Sequence, residues 1–192
     1  MVRLDKIYTR AGDGGTTRLA TGEEVAKCSP RVEAYGAVDE TNAAIGVARL
    51  NTTLDHVLDP MLARIQNDLF DLGADLATPE RDKPLPFEAL RIQSSQVERL
   101  EREIDLLNED IPPLTSFVLP AGEPSAATLH LARTICRRAE RRVVELSLIE
   151  GEQVSEAAVR YLNRLSDLLF VASRFANLKG AGEVLWRPAA GR

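Results

Sequence analysis

A run of hydroxyls, glycines and charges near the start of the 192-residue chain, Tyr8-Thr-Arg-Ala-Gly-Asp-Gly-Gly-Thr-Thr17, carries the groups that a triphosphate needs. Glycines let a backbone approach a ligand closely and turn successive N–H groups toward an anion. Thr9, Thr16 and Thr17 add hydroxyl donors, and Arg10 and Arg18 add charge. Composition alone favours the plainer reading, a glycine-rich turn at a mobile terminus. The chain has no Gly-x-x-x-x-Gly-Lys-Ser/Thr, so this is not a P-loop, and Gly12–Gly15 does not match the Rossmann fingerprint.

A second segment is Arg133-Thr-Ile-Cys-Arg-Arg-Ala-Glu-Arg-Arg142. Arg133, Arg137 and Arg141 recur at a spacing that puts them on one helix face. Guanidinium groups in a row repel one another unless anions lie between them. Glu140 is one such anion, and a bound phosphate chain would be another. The equally ready alternative is a solvated basic stripe paired with acidic residues on neighbouring helices. A third segment, Tyr161-Leu-Asn-Arg-Leu-Ser-Asp167, sets Asn163 and Asp167 one turn apart on a helix that is otherwise apolar on its inner side. They either satisfy each other or read a ribose or adenine. His130 reads as a packed or capping histidine, Cys136 as a small core residue and Phe117 as core filler.

Five helical patterns must position these residues. Val38, Ile45 and Ala48 begin the first apolar face, and Leu62, Ile65, Leu69, Leu72 and Leu76 form a second seam with 3-4 spacing. Pro79, Pro84 and Pro86 end that helix. Val97, Leu100, Ile104 and Leu107 form the third, stopped by Pro112 and Pro113. Ser125 reads as the N-cap of the fourth, whose seam is Ala132, Ile135, Ala139, Val143 and Leu146. Gly151 follows it, and Ser155 with Glu156 starts the fifth, with Leu162, Leu165, Leu169, Ala172 and Ala176 facing inward. No alternating strand pattern is evident. The expectation is one all-α domain over 1–192: an irregular N-terminal arm (1–36), an up-and-down five-helix bundle (37–180) and a C-terminal tail (181–192).

Bulk properties narrow the function. A net charge of −5 disfavours nucleic acid as a partner. Two cysteines, Cys28 and Cys136, make no disulfide framework, and no Cys/His cluster has metal-ligand spacing. No run approaches a membrane span and Met1–Arg10 shows no apolar signal, which makes the cytoplasm the default location.

Taken together and in order, the segments resemble the propanediol-utilisation type of ATP:corrinoid adenosyltransferase. The match runs from about residue 6 to about residue 178 and includes Arg31-Val-Glu-Ala-Tyr-Gly-Ala-Val-Asp-Glu40 and Phe117-Val-Leu-Pro120. The resemblance implies transfer of the 5′-deoxyadenosyl group of ATP to the cobalt of cob(I)alamin, with magnesium as counter-ion. It implies a homotrimer with active sites at subunit interfaces, and a cobalamin reductase or cobalamin-dependent enzyme as a further partner. Thr9, Arg10, Ala11, Gly12, Thr17, Arg18 and Lys27 match the arm's ATP-contacting positions. Arg137, Arg138, Ala139, Glu140, Arg141 and Asn163 match those that complete the site. Arg133 and Asp39 match a salt bridge across the interface, and Phe117 matches an aromatic below the corrinoid ring. Ala11 departs from the hydroxyl or amide common there, which leaves a backbone contact, and Ala121 departs from glycine. A competing expectation is an ATP-sensing bundle without catalysis that recruits a partner protein.

Overall fold

The computed structural model describes residues 7–81, 85–180 and 182–191. Residues 1–6 of the stretch read for a signal, Pro84 as a helix stop and the two ends of the tail, 181 and 192, lie outside the described residues. Two short strands, β1 (Thr16–Arg18) and β2 (Glu24–Ala26), precede five helices: α1 (Pro30–Arg49), α2 (Leu58–Leu76), α3 (Ser94–Asn108), α4 (Pro124–Ser147) and α5 (Glu156–Leu178).

The heptad-like seams are the core. Leu62, Ile65, Leu69 and Leu72 of α2, and Ala132, Ala139, Val143 and Leu146 of α4, are essentially inaccessible, as are Leu162, Leu165 and Leu169 of α5. Each buried leucine contributes roughly 1.5–3 kcal/mol relative to an exposed one. α4 packs between α1 and α5, α2 packs on α1, and α3 packs on α5. Polar bridges close the ring between α2 and α3, where Arg64 meets Glu103 at 2.5 Å and Arg99 meets Asp68 at 2.7 Å. These pairings run in opposite directions along the two helices. So do His130–Ser173 and Glu140–Asn163 between α4 and α5, as an up-and-down bundle requires.

Three local features differ from the sequence expectation. α1 begins at Pro30, well before Val38, because Pro30 pre-sets the first helical φ and needs no partner for a missing N–H. Its inner face starts at Ala34 and is built of small residues (Ala34, Ala37, Ala44, Ala48), which are weak signals of a seam. Within the arm, residues 16–26 form a β-hairpin with Thr16 opposite Ala26 and Arg18 opposite Glu24. Strands of three residues are too short for alternation to register. The N-cap of α4 is Glu123 with Pro124 in the first turn, two residues ahead of Ser125.

The hairpin is tied to its own bundle. Leu19 at its turn is 5% exposed, and the Ala20 N–H donates to the Ala77 carbonyl at the end of α2 (3.0 Å). Arg31, also buried, ion-pairs Glu152 and donates to the Leu76 carbonyl (2.7 Å) and the Gln153 carbonyl (3.2 Å). One guanidinium thus joins the start of α1, the end of α2 and the approach to α5.

Candidate functional site

The arm ahead of the hairpin is a string of tight turns. The Asp13 N–H donates to the Arg10 carbonyl (3.3 Å) and the Gly15 N–H to the Gly12 carbonyl (3.2 Å). Arg10 has φ +62°, a left-handed conformation rarely held by a residue with a side chain, and its guanidinium stands 5.7 Å from the centre of the Tyr8 ring. The Lys27 N–H donates to the Gly15 carbonyl (2.9 Å), which folds the end of β2 onto the glycine run. A methyl added to Gly12 would meet the Lys27 ammonium at 2.9 Å and the Thr16 carbonyl at 3.2 Å. Gly12 therefore leaves the Lys27 ammonium room to lie close against the arm's backbone. Thr9, Arg10, Ala11 and Lys27 are exposed, Thr17 and Gly12 half-buried. Arg18 faces Glu24 across the hairpin at 3.5 Å, both largely in solvent, a pairing of little energetic consequence.

The α4 flank holds the second group. Arg137 and Arg141 are exposed, and Arg141 folds back to donate to the Arg137 carbonyl (3.0 Å). Glu140 accepts from the Asn163 side-chain amide (2.8 Å), so Asn163 on α5 and the arginine face of α4 lie together. Asn163 and Asp167 do not satisfy each other: Asp167 takes Arg164 (2.8 Å). Arg138 lies toward α1, where it meets Glu40 at 2.6 Å. Ala139 is buried in the core.

One helical turn before Arg137, Arg133 is half-buried, its Nε without a hydrogen-bond partner among the described residues, and its guanidinium stands 6.0 Å from the centre of the Phe170 ring. Burial, and then the like charge of Arg137, lower the Arg133 pKa from its ordinary value. An anion brought against this pair would relieve the repulsion. Asp39 is exposed on α1, and among the described residues neither it nor Arg133 makes an ion pair. Cys136 is buried, donates to the Leu162 carbonyl (3.4 Å) and has its thiol pKa pushed up by burial, so it is an inert core residue.

Phe117 is not core filler: it is 76% exposed. Its neighbour is Trp186, edge-on with ring centres 5.9 Å apart. Trp186 belongs to the tail, which pairs backbone to backbone with the Phe117 loop through Val118 and Leu185. Nothing in the sequence pattern flagged Trp186. It stands outside every helical seam, and only the pairing of two irregular segments brings it to Phe117.

The two halves are separated within one chain. The hairpin root packs near Leu146 and Ile149, beside the C-terminal end of α4. Arg137 stands nine residues before Leu146, about 13 Å along the helix axis.

A helical bundle with a glycine-rich arm, a flank of arginines beside an asparagine, and an exposed aromatic on a paired loop defines a class: a bundle that binds a polyanionic small molecule next to an apolar surface. Known proteins of the same build sharpen this. The chain matches the cobalamin adenosyltransferase family model over residues 7–176. It is 50% identical over 191 residues to a corrinoid adenosyltransferase of Mycobacterium tuberculosis, covering 100% of this chain and 97% of the relative. A corrinoid adenosyltransferase of Mycobacterium leprae is 48% identical over 189 residues, covering 97% and 98%. Among solved structures, a variant of a PduO-type ATP:corrinoid adenosyltransferase from Lactobacillus reuteri, complexed with cobalamin and ATP, superposes with a TM-score of 0.83 at 40% identity, covering 95% of this chain and 99% of that one. The chain belongs to the cobalamin adenosyltransferase family.

Proposed function

We propose that this protein transfers the 5′-deoxyadenosyl group of ATP to the cobalt of cob(I)alamin, or a related corrinoid. The cobalt–carbon bond forms with the electron pair of cob(I)alamin, the C5′–oxygen bond breaks, and tripolyphosphate leaves with its bonding pair. The corrinoid supplies the nucleophile, so no side chain is needed as general base. The protein's task is to hold C5′ in line with cobalt and to stabilise charge on the leaving chain.

Lys27 against Gly12, and Arg137 with Arg141 on α4, are the groups suited to the polyphosphate. Thr9, Arg10, Ala11, Thr17 and Arg18 line the same arm, and Asn163 with Glu140 offers amide and carboxylate edges for the nucleoside. Arg138 adds positive charge on the flank toward α1. Among the described residues no group of three ligating side chains could hold a metal. Magnesium would sit on the phosphates themselves, as is common for that ion.

The observation that carries this reading is Phe117. Phe117 stands out with Leu119 and with Val184, Leu185 and Trp186 of the paired tail, all exposed, and a contiguous apolar patch of this kind marks a surface that a ligand covers. An ATP sensor would give it no task. A ring set below a corrinoid would exclude an axial ligand from cobalt and so ease reduction of cob(II)alamin to cob(I)alamin. The separation of the arm from the arginine face, and the missing ionic partners of Arg133 and Asp39, favour a homotrimer in which one subunit's arm completes its neighbour's site. The need for cob(I)alamin calls for a reductase as partner, and use of ATP keeps the cytoplasm as the site of action. Among the described residues no helix is long and apolar enough to cross a membrane.

Incubation with ATP and chemically reduced cobalamin tests the assignment. The absorption spectrum should change to that of a cobalt–carbon bond, and no change over many enzyme equivalents rejects it. Phe117→Ala should keep ATP affinity and lose most activity when the assay starts from cob(II)alamin. Wild-type activity in that assay removes the wedge role.

A further inference from the structure

An exposed ring can act as a wedge only if its backbone is fixed, and Phe117 lies on an irregular segment outside every helix. Its fixing comes from the tail. The Trp186 N–H donates to the Phe117 carbonyl (2.8 Å) and the Leu119 N–H to the Val184 carbonyl (2.8 Å). The Ser116 hydroxyl donates to the Trp186 carbonyl (2.8 Å). Loop and tail hold each other, yet Phe117, Leu119 and residues 184–191 of the tail are all exposed. A two-stranded pairing of this length is not stable alone in water, so something must attach the pair to the bundle.

The last turns of α5 do so. Arg174 is 5% exposed and Asn177 fully buried. Arg174 ion-pairs Glu183 at the root of the tail and also donates to the Pro112 carbonyl upstream of the loop (2.8 Å). Asn177 donates to the Ala121 carbonyl (3.0 Å) and accepts from the Glu123 N–H (2.8 Å), gripping the downstream side. Its own carbonyl receives the N–H groups of Gly180 (3.1 Å) and Gly182 (2.9 Å), where the tail turns away. The fit is close enough that Gly122, at φ +104°, has no room for a Cβ, which would collide with the Asn177 amide. Both are polar positions on an otherwise apolar inner face, and among the described residues their side chains bond only to the loop and the tail. Burying a guanidinium and an amide has a large desolvation cost unless their partners are fixed. Here those partners are the loop and tail that present Phe117.

We propose that Arg174 and Asn177 are positioning residues for Phe117, acting through a clamp at the end of α5 that docks the 112–123 loop and the C-terminal strand as one unit. The functional half of this inference rests on the wedge role assigned to Phe117 above.

Trp186 is the chain's single tryptophan, so its fluorescence reports tail docking independently of chemistry. In the full-length protein, Arg174→Lys, Asn177→Asp and Glu183→Gln should each retain helical circular dichroism and the wild-type KM for ATP. Transfer from chemically reduced cob(I)alamin should stay within about twofold of wild type, since that step does not need the axial face cleared. Trp186 emission should move to longer wavelength and be quenched more readily by acrylamide. From cob(II)alamin, kcat should fall on the order of tenfold to a hundredfold, the scale of a small misplacement at a reacting centre. Glu183→Gln touches only the tail side and serves if a substitution at the buried positions unfolds the protein. Unchanged Trp186 emission in the folded variants overturns the clamp. Released Trp186 with wild-type turnover from cob(II)alamin overturns the positioning role. A silent Phe117→Ala sinks the wedge reading instead, while released Trp186 in the clamp variants would still uphold the anchoring.

Discussion

Arg137 and Arg138 are adjacent in sequence and differ in what surrounds them. Arg138 already has Glu40 at 2.6 Å, whereas Arg137 is exposed beside a half-buried Arg133 whose Nε has no partner among the described residues. Removal of Arg137 should therefore affect ligand binding more than folding. Arg137→Ala is expected to weaken ATP binding by about 1.5–3 kcal/mol, the range for a hydrogen bond to a charged group, with little change in melting temperature. An unchanged dissociation constant by calorimetry rejects its assignment to the polyphosphate. The arginine spacing was legible because residues four apart must share a helix face whatever the fold. The pairing of Glu140 with Asn163 was not, since it joins helices whose registers no local pattern encodes. Arg174 and Asn177 escaped notice for a related reason. A single buried polar residue within an apolar run looks like a surface interruption until its partners, far away in sequence, are placed.

At the scale of elements, α2 to α5 were readable because large aliphatics repeat along them, and α1 was readable only from Val38, because its earlier turns pack with alanine. The β-hairpin was hidden by its length, and its buried apolar anchor is Leu19. Leu19→Ala should release the hairpin locally at a cost of roughly 1.5–3 kcal/mol. It should raise the dissociation constant for ATP and expose the arm to protease, while global unfolding by urea shifts little. A cooperative loss of the whole bundle instead would show that the hairpin is integral to the core. The start of α5 offers a cleaner local test. The Ser155 hydroxyl accepts from the Ala158 N–H (3.1 Å), so Ser155→Ala should destabilise the fold by about 1 kcal/mol, as for other N-caps. No change in the urea midpoint would mean that the α5 start is held by Arg31 and its carbonyl contacts alone.

In the whole molecule, the ring of helices encloses a histidine that the proposed chemistry does not use. His130 on α4 is 1% exposed. Its Nε2 lies 3.1 Å from the Ser173 hydroxyl, its Nδ1 has no partner among the described residues, and the Phe170 ring stands edge-on at 6.1 Å. Burial chiefly, then the positive charge of Arg133 one turn on, push its pKa from 6.5 down to about 4, with Glu183 opposing weakly. The unfolded chain thus takes up a proton near pH 6.5, and the folded chain does not until about pH 4. Since the unfolded state binds more protons in that window, stability is greatest above it, falls as the pH drops through it and levels off below. Each tenfold difference in proton affinity between the two states is worth about 1.4 kcal/mol, so the total loss is on the order of 3 kcal/mol. Urea unfolding at a series of pH values between the two limits should show that loss in wild type. His130→Asn, which keeps a polar side chain near Ser173 but cannot protonate, should lose markedly less over the same interval. Identical acid sensitivity in the two proteins would place the charge uptake elsewhere in the bundle.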